Sequence, residues 1–491
     1  MSKTSDCCKP PTRRPLFWVA LAVALVVTAV VTLTGRPAKT PSPAVPVVDP
    51  LVAELGAAYP IDVIASGVVH EHELVAAPAT LSLLDGRSLE VWAYNGQVPG
   101  PTFRARVGDT LRVRFKNELP QPTTVHWHGV RVPNAMDGVP GVTQPPVEPG
   151  GTFTYELVLK DAGTFWFHPH VRSSEQVERG LYGVLIVEDV DPPPFTREVL
   201  WVLDDFKLDD SGQISAAFNT RHDLAHDGRW GNVVTVNGSQ DPTFEVSRGE
   251  RLRIRVVNVA NGRVFRLDLG GLDARGIAFD GLYAREPFDP TALDLAPGNR
   301  IDLDLTISAG AAVDTLFEVS DRYLRRASRL ARLRVTGAPE VAAPSFTAPS
   351  GAVPRWAAAD AAPVTRALAL NARRGGPYGI SWMIAGVAMD HTSHDHPAHA
   401  SFTLPKGAFS RLSFENESAR IHPMHLHGTF FKVISRDGVP TDEPFFRDTV
   451  LVRPNERVDI GLVPVDEGTW MMHCHILEHA ESGMMTLFRV E

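Results

Sequence analysis

Val107-Gly-Asp-Thr-Leu-Arg-Val-Arg-Phe-Lys-Asn117 opens on a turn and runs on as a strand that alternates apolar with polar residues. The same eleven-residue pattern returns as Arg248-Gly-Glu-Arg-Leu-Arg-Ile-Arg-Val-Val-Asn258 and as Lys406-Gly-Ala-Phe-Ser-Arg-Leu-Ser-Phe-Glu-Asn416, with Gly second and Asn last each time. A second block follows each copy: Pro149-Gly-Gly-Thr-Phe-Thr-Tyr-Glu-Leu157, Pro297-Gly-Asn-Arg-Ile-Asp-Leu-Asp-Leu305 and Pro454-Asn-Glu-Arg-Val-Asp-Ile-Gly-Leu462. Period-2 strands punctuated by Gly and Pro, with few helical stretches, predict an all-β chain built from three antiparallel β-sandwiches.

The size agrees, because 491 residues make about three domains at roughly 150 each. With 44% hydrophobic and 21% charged residues the chain can bury large cores. A net charge of −9 argues against nucleic acid as a partner, since phosphate backbones call for a basic surface. Three cysteines, Cys7, Cys8 and Cys474, exclude a disulfide scaffold.

Residues 15–35 carry no charge until Arg36, and the apolar run Leu16 to Thr34 would cover roughly 28 Å as a helix, close to the thickness of a bilayer core. Lys3, Lys9, Arg13 and Arg14 precede it, which keeps residues 1–14 cytoplasmic and the body extracytoplasmic, periplasmic or at the cell surface. The expectation is an N-terminal transmembrane anchor; an export signal with a loose twin-arginine motif leads to the same side. Residues 36–51 read as a Pro-rich spacer. Composition then divides the body into domains at 52–190, 191–338 and 364–491, with a Pro/Ala-rich linker at 339–363.

Nine residues after the first repeat's Asn stands His126-Trp127-His128-Gly129, and nine after the third repeat's Asn stands His425-Leu426-His427-Gly428. The middle domain has Leu267-Asp268-Leu269-Gly270 at that offset, with leucine for both histidines. The second block leads to Gly163-Thr-Phe-Trp-Phe-His168-Pro169-His170 and to Gly468-Thr-Trp-Met-Met-His473-Cys474-His475. On a strand, residues i and i+2 share a face, so each pair can clamp metal. Two such domains facing one another predict a metal cluster at their interface. A second site overlaps the first: His422, Cys474, His479 and Met484 supply two imidazoles, a thiolate and a thioether, the donor pattern of a blue-copper centre.

On these four motifs the chain resembles the three-domain multicopper oxidases, the laccase-like bacterial group, over nearly all of the body. The resemblance implies three cupredoxin-like Greek-key domains and four coppers. His422, Cys474 and His479 would bind a type 1 copper with Met484 axial, Met485 being the weaker candidate. His126 and His425 would bind a type 2 copper, and His128, His168, His170, His427, His473 and His475 a type 3 pair. The implied reaction oxidises a small reducing substrate, one electron at a time, at the type 1 edge near His422 or His479, and reduces dioxygen to water at the trinuclear cluster, with Cys474 linking the two. Asp137 matches the acid that delivers protons in bacterial members, its other reading being a turn carboxylate before Gly138. A glutamate common after the last motif histidine is Ala480 here, with Glu481 or another acid as the substitute.

A phenol-like organic donor is the first expectation for the substrate. Relatives that oxidise cuprous ion carry Met and Asp where this chain has Ser418, Ala419 and Arg420, which sets a metal-ion oxidase of Cu(I), Fe(II) or Mn(II) second. The loop with His391, His394, His396 and His399 is either an auxiliary metal-binding segment or a solvated one. A copper nitrite reductase would not need all four histidine pairs. A monomer is expected, and His70, His72, His222 and His226 have no assigned role.

Overall fold

The computed structural model describes residues 63–84, 86–324, 327–337, 363–389 and 400–491. The expected membrane or signal helix at 15–35, the spacer at 36–51, almost all of the linker at 339–363 and the histidines of 391–399 lie outside the described residues. No helix among the described residues is long and apolar enough to cross a membrane.

The described chain is nearly all-β, with half its residues in strands and few in helices, and its six sheets fall into three consecutive pairs. The first pair joins Arg87–Tyr94, Val69–Leu83, Thr110–Asn117 and Thr152–Val158 in one sheet, and Thr102–Arg106, Gly183–Glu188, Gly163–His168 and His126–His128 in the other. The repeats explain this layout. Each first-block strand lies antiparallel to its own second-block strand: Thr110–Asn117 with Thr152–Val158, Arg251–Asn258 with Arg300–Thr306, and Ser410–Asn416 with Arg457–Leu462. In Thr110–Asn117 the inward set is Leu111, Val113, Phe115 and Asn117, while Arg114 and Lys116 reach solvent.

The closing asparagine of each first block does the same work three times. Asn117 Nδ2 donates to the carbonyls of Gln121 and Val147 while its Oδ1 accepts from Leu119 N–H. Asn258 repeats this with Arg263, Leu295 and Ala260, and Asn416 with Arg420, Arg453 and Ser418. A buried amide that satisfies three backbone groups pins the turn after the strand, and the segment with the histidine pair leaves from that turn.

The sheets are mixed, which corrects the expectation of purely antiparallel sandwiches. Val69–Leu83 runs parallel to Thr110–Asn117, Arg197–Phe206 to Arg251–Asn258, and Arg366–Arg374 to Ser410–Asn416. The first domain shows the cause: after Arg87–Tyr94 the chain crosses to Thr102–Arg106 in the opposite sheet and returns pointing the way it began. The middle domain departs in another respect. All of Arg251–Asn258 is buried, because its charged face is paired: Arg253 with Asp302, and Arg255 with Asp302, Glu198 and the Thr164 hydroxyl of the first domain. One apolar cluster runs from Leu111 and Trp127 of the first domain into Leu426, Met472 and Cys474 of the third, so these two domains share a core.

Candidate metal centre

The histidine pairs sit on adjacent strands. His126–His128 pairs with Gly163–His168, setting His126 opposite His168, and His422–Leu426 pairs with Gly468–Cys474, setting His425 opposite His473. The two assemblies interleave across the interface between the first and third domains. The ring of His126 stacks on His427 and that of His128 on His425, each with centroids 3.8 Å apart. All eight histidines are buried. The triples His128–His168–His475, His170–His427–His473 and His126–His425–His427 each bring their ligand atoms within 4.8 Å of one another.

Hydrogen bonds set which nitrogen is available. Nδ1–H donates to the carbonyl of Asp137 from His126, of Pro169 from His168, of Asp448 from His425 and of Cys474 from His473, all at 2.8–2.9 Å. His427 Nδ1–H donates to Asp137 Oδ2 at 2.8 Å. A proton fixed on Nδ1 leaves the lone pair on Nε2, and the Nε2 atoms of His126, His168, His425 and His427 are buried with no hydrogen-bond partner. Buried polar atoms are rarely left so, and a metal ion is what would satisfy them. Burial first, then neighbouring imidazoles, holds His128, His168, His170, His427 and His475 well below the usual imidazole range, so they stay neutral. Neutral imidazole is the ligand form.

The structure also brings His422, Cys474 and His479 together. Cys474 Sγ lies 3.7 Å from His422 Nδ1 and 3.7 Å from His479 Nδ1, and the two nitrogens are 3.2 Å apart. Here the bonding is reversed. His479 Nε2–H donates to the His226 carbonyl at 2.5 Å, and His422 Nε2 contacts Ser418 Oγ at 2.8 Å, so Nδ1 carries the lone pair. Burial pushes His479 down to about 3 and the Cys474 thiol up; a bound cation would reverse the latter. Met484 is fully buried in the core cluster that contains Cys474, whereas Met485 packs in a separate cluster with Met389 and Met471. Met484, and not Met485, therefore shares the cluster of Cys474.

Asp137 is buried at 1% exposure and bridges the domains, its Oδ2 on His427 and its Oδ1 3.2 Å from His126 Nδ1. Glu481 turns elsewhere: it accepts from Ser174 N–H and Asn219 Nδ2, tying the helix Leu477–Glu481 to the first and middle domains. Glu478, beside His479, is raised to about 7 by burial.

Sequence reasoning missed the middle domain's share. Arg300, fully buried, donates to Asp448 Oδ1 at 2.9 Å and places Nη1 3.3 Å from His128 Nδ1. Burial alone would raise Asp448, yet Arg300 and His425 hold it down at about 2. Gly298, at φ +88°, brings the middle domain's backbone against the cluster, where an added Cβ would stand 2.9 Å from His128 Nε2. Trp382, which also escaped notice, lies 4.4 Å from the His479 ring and 5.0 Å from that of His422. Nothing in the repeats marks Asp448 or Trp382. For the middle domain the only signal was the block Pro297–Leu305 surviving where the histidines had gone.

Three family models described as multicopper oxidase match residues 76–192, 197–324 and 367–491. The chain is 31% identical to the multicopper oxidase MmcO of Mycobacterium tuberculosis over 451 residues, 84% of this chain and 85% of that one. It is 26% identical over 491 residues to Laccase-1 of Cryptococcus neoformans var. grubii, covering 83% of this chain and 78% of that one. A solved multicopper oxidase from Pseudomonas thermotolerans superimposes with a TM-score of 0.76 at 34% identity, over 87% of this chain and 100% of that one. The histidine clusters fit the copper sites of such enzymes. The chain therefore belongs to the multicopper oxidase family, in its three-domain, laccase-like bacterial group, and is a copper-dependent oxidoreductase that couples oxidation of a reducing substrate to reduction of dioxygen.

Proposed function

We propose that His422, Cys474 and His479, with Met484 as a further sulfur donor, would hold the type 1 copper, and that His126 and His425 would hold the type 2 copper. His128, His168 and His475 take one type 3 copper, and His170, His427 and His473 the other. The domain limits are 52–190, 191–338 and 364–491. The observation that carries the ligand assignment is the switch of nitrogen: His126, His168, His425 and His427 bond through Nδ1 and keep Nε2 for the cluster, whereas His422 and His479 bond through Nε2 and keep Nδ1 for the site with Cys474. When bound, copper supplies one-electron redox chemistry at each centre. Cys474 is covalently next to His473 and His475, and its carbonyl accepts from His473 Nδ1, so one short segment of backbone joins the two centres. Asp137, through His126 and His427, orients rings of both domains and is the acid nearest to supply protons.

The donor is a small organic reductant of the phenol class. A second reading, oxidation of a metal ion, is favoured by one observation: His422 and His479 are both fully buried and their outer nitrogens are capped. The body acts outside the cytoplasm as a monomer, behind a segment 15–35 that anchors or exports it. Oxygen uptake by the copper-loaded protein with phenols, an organic dye, Cu(I), Fe(II) and Mn(II) tests the donor. A protein that loads four coppers and shows no blue band would overturn the type 1 assignment.

A further inference from the structure

His222 and His226 lie outside both centres, on the helix Arg221–Ala225 and at its C-terminal cap. They are one turn apart on one face, and their rings stack with centroids 4.2 Å apart at 25°. His226 Nδ1–H donates to the His222 carbonyl at 3.1 Å, which leaves Nε2 with the lone pair. His222 is exposed and His226 half-buried. Histidines at i and i+4 are the spacing by which a helix clamps a transition-metal ion, and imidazole suits first-row metals.

This helix is fastened to the type 1 site. Trp382 Nε1–H donates to the Leu224 carbonyl at 2.8 Å, and its ring packs over His479. The His226 carbonyl accepts the Nε2–H of His479. Asp227, the next residue, accepts from Ile421 N–H beside His422 at 3.3 Å. Gly228, at φ +82°, makes the approach close, since an added Cβ would stand 2.6 Å from Ile476 Cγ2 and 2.8 Å from Glu478 Oε2. One residue, His226, therefore touches a type 1 ligand with its carbonyl while its ring meets an exposed imidazole.

We propose that His222 and His226 form a fifth metal site that receives a reducing first-row ion, cuprous or ferrous, and that its electron enters through the His226 carbonyl to His479. The proposal rests on the metal-ion reading above and names where the ion docks. Four ions each lose one electron, and one dioxygen takes the four electrons with four protons from solvent to give two waters. The ions leave one charge higher, and the family's own reaction supplies the oxidant. The pair's two imidazoles, one exposed and one half-buried, admit an ion; a bulky organic donor gains nothing from them.

The test uses the full-length, copper-loaded enzyme. Equilibrium dialysis against Zn(II), which is redox-silent, should place one more zinc on the wild type than on His222→Ala or on the His222→Ala/His226→Ala double variant. In steady-state oxygen uptake, His222→Ala should raise KM for Cu(I), Fe(II) or both by at least the roughly tenfold that loss of an outer partner alone costs a metal site. Its kcat for the ion, its four coppers, its blue colour and its turnover of an organic dye should stay at wild-type values. The two ions run as separate arms identify which is the donor. No extra zinc on the wild type, an unchanged KM for both ions, or an equal loss with the dye would each overturn the site. A wild type that turns over the dye and neither ion overturns the clamp and leaves the four-copper reading standing, whereas a colourless enzyme without oxygen uptake removes that reading itself.

Discussion

Cys474 is the one thiol among the described residues. Under the proposed assignment its sulfur would be the soft ligand beside His422 and His479, and thiolate-to-copper charge transfer would be the source of the blue colour. Cys474→Ser should abolish the blue band and turnover while the protein stays folded and retains up to three coppers, as measured by metal analysis and circular dichroism. Retained colour would move the type 1 centre elsewhere. His128 and Asp137 divide the same question on the cluster side. His128→Ala would remove a proposed cluster ligand, so type 3 copper should be depleted and oxygen uptake stopped, while substrate should still bleach the type 1 copper anaerobically. Asp137→Asn keeps every ligand and should load four coppers, with turnover slowed and its pH profile altered, because an amide holds a ring but relays no proton. Full copper with a wild-type profile between about pH 4 and 8 would reduce Asp137 to a part of its turn.

At the scale of strands and loops, motif spacing was readable because it is geometry: the block asparagine pins a turn, and nine residues later a strand presents two histidines on one face. The parallel pairings were not readable, since alternation reports which face a residue takes and nothing about which neighbour the strand chooses. Arg300 and Asp448 were invisible for a related reason. Each is an ordinary polar residue in its own strand or loop, and only the packing of the second-block turn Pro297–Arg300 against Phe446–Thr449 puts them beside His128 and His425. Their pair is fully buried, so removing one partner leaves an uncompensated charge. Arg300→Met should destabilise the enzyme by about 3–5 kcal/mol and lower type 2 copper occupancy, read by thermal melting and by electron paramagnetic resonance. Arg300→Lys should recover stability better than copper, because a point charge cannot make the several directed bonds of the guanidinium to Asp448, Thr164 and Gly298. Unchanged copper in both variants would leave Arg300 a purely structural pair member.

The whole molecule carries the site as a seam between its first and third domains, and the seam is lined with buried imidazoles. His128, His168, His170, His427, His475 and His422 all titrate well below the ordinary value in the folded chain, with burial the first cause. In the unfolded chain they regain a value of about 6.5. Below that pH the unfolded state binds protons that the folded state refuses, so stability falls as pH falls, by up to about 1.4 kcal/mol per pH unit for each such histidine. The copper-free protein should therefore melt near its best temperature above about pH 7 and lose stability steeply between about pH 6.5 and 5. Copper-loaded protein should show a shallower slope over that range, because an imidazole nitrogen bound to metal has no lone pair for a proton and the ion stabilises the fold by mass action. Melting curves of both forms at half-unit pH steps measure the difference directly. Parallel slopes would mean that the apo seam opens to water and the histidines titrate freely, so that the closed, dry arrangement of the eight rings belongs to the metal-bound enzyme alone.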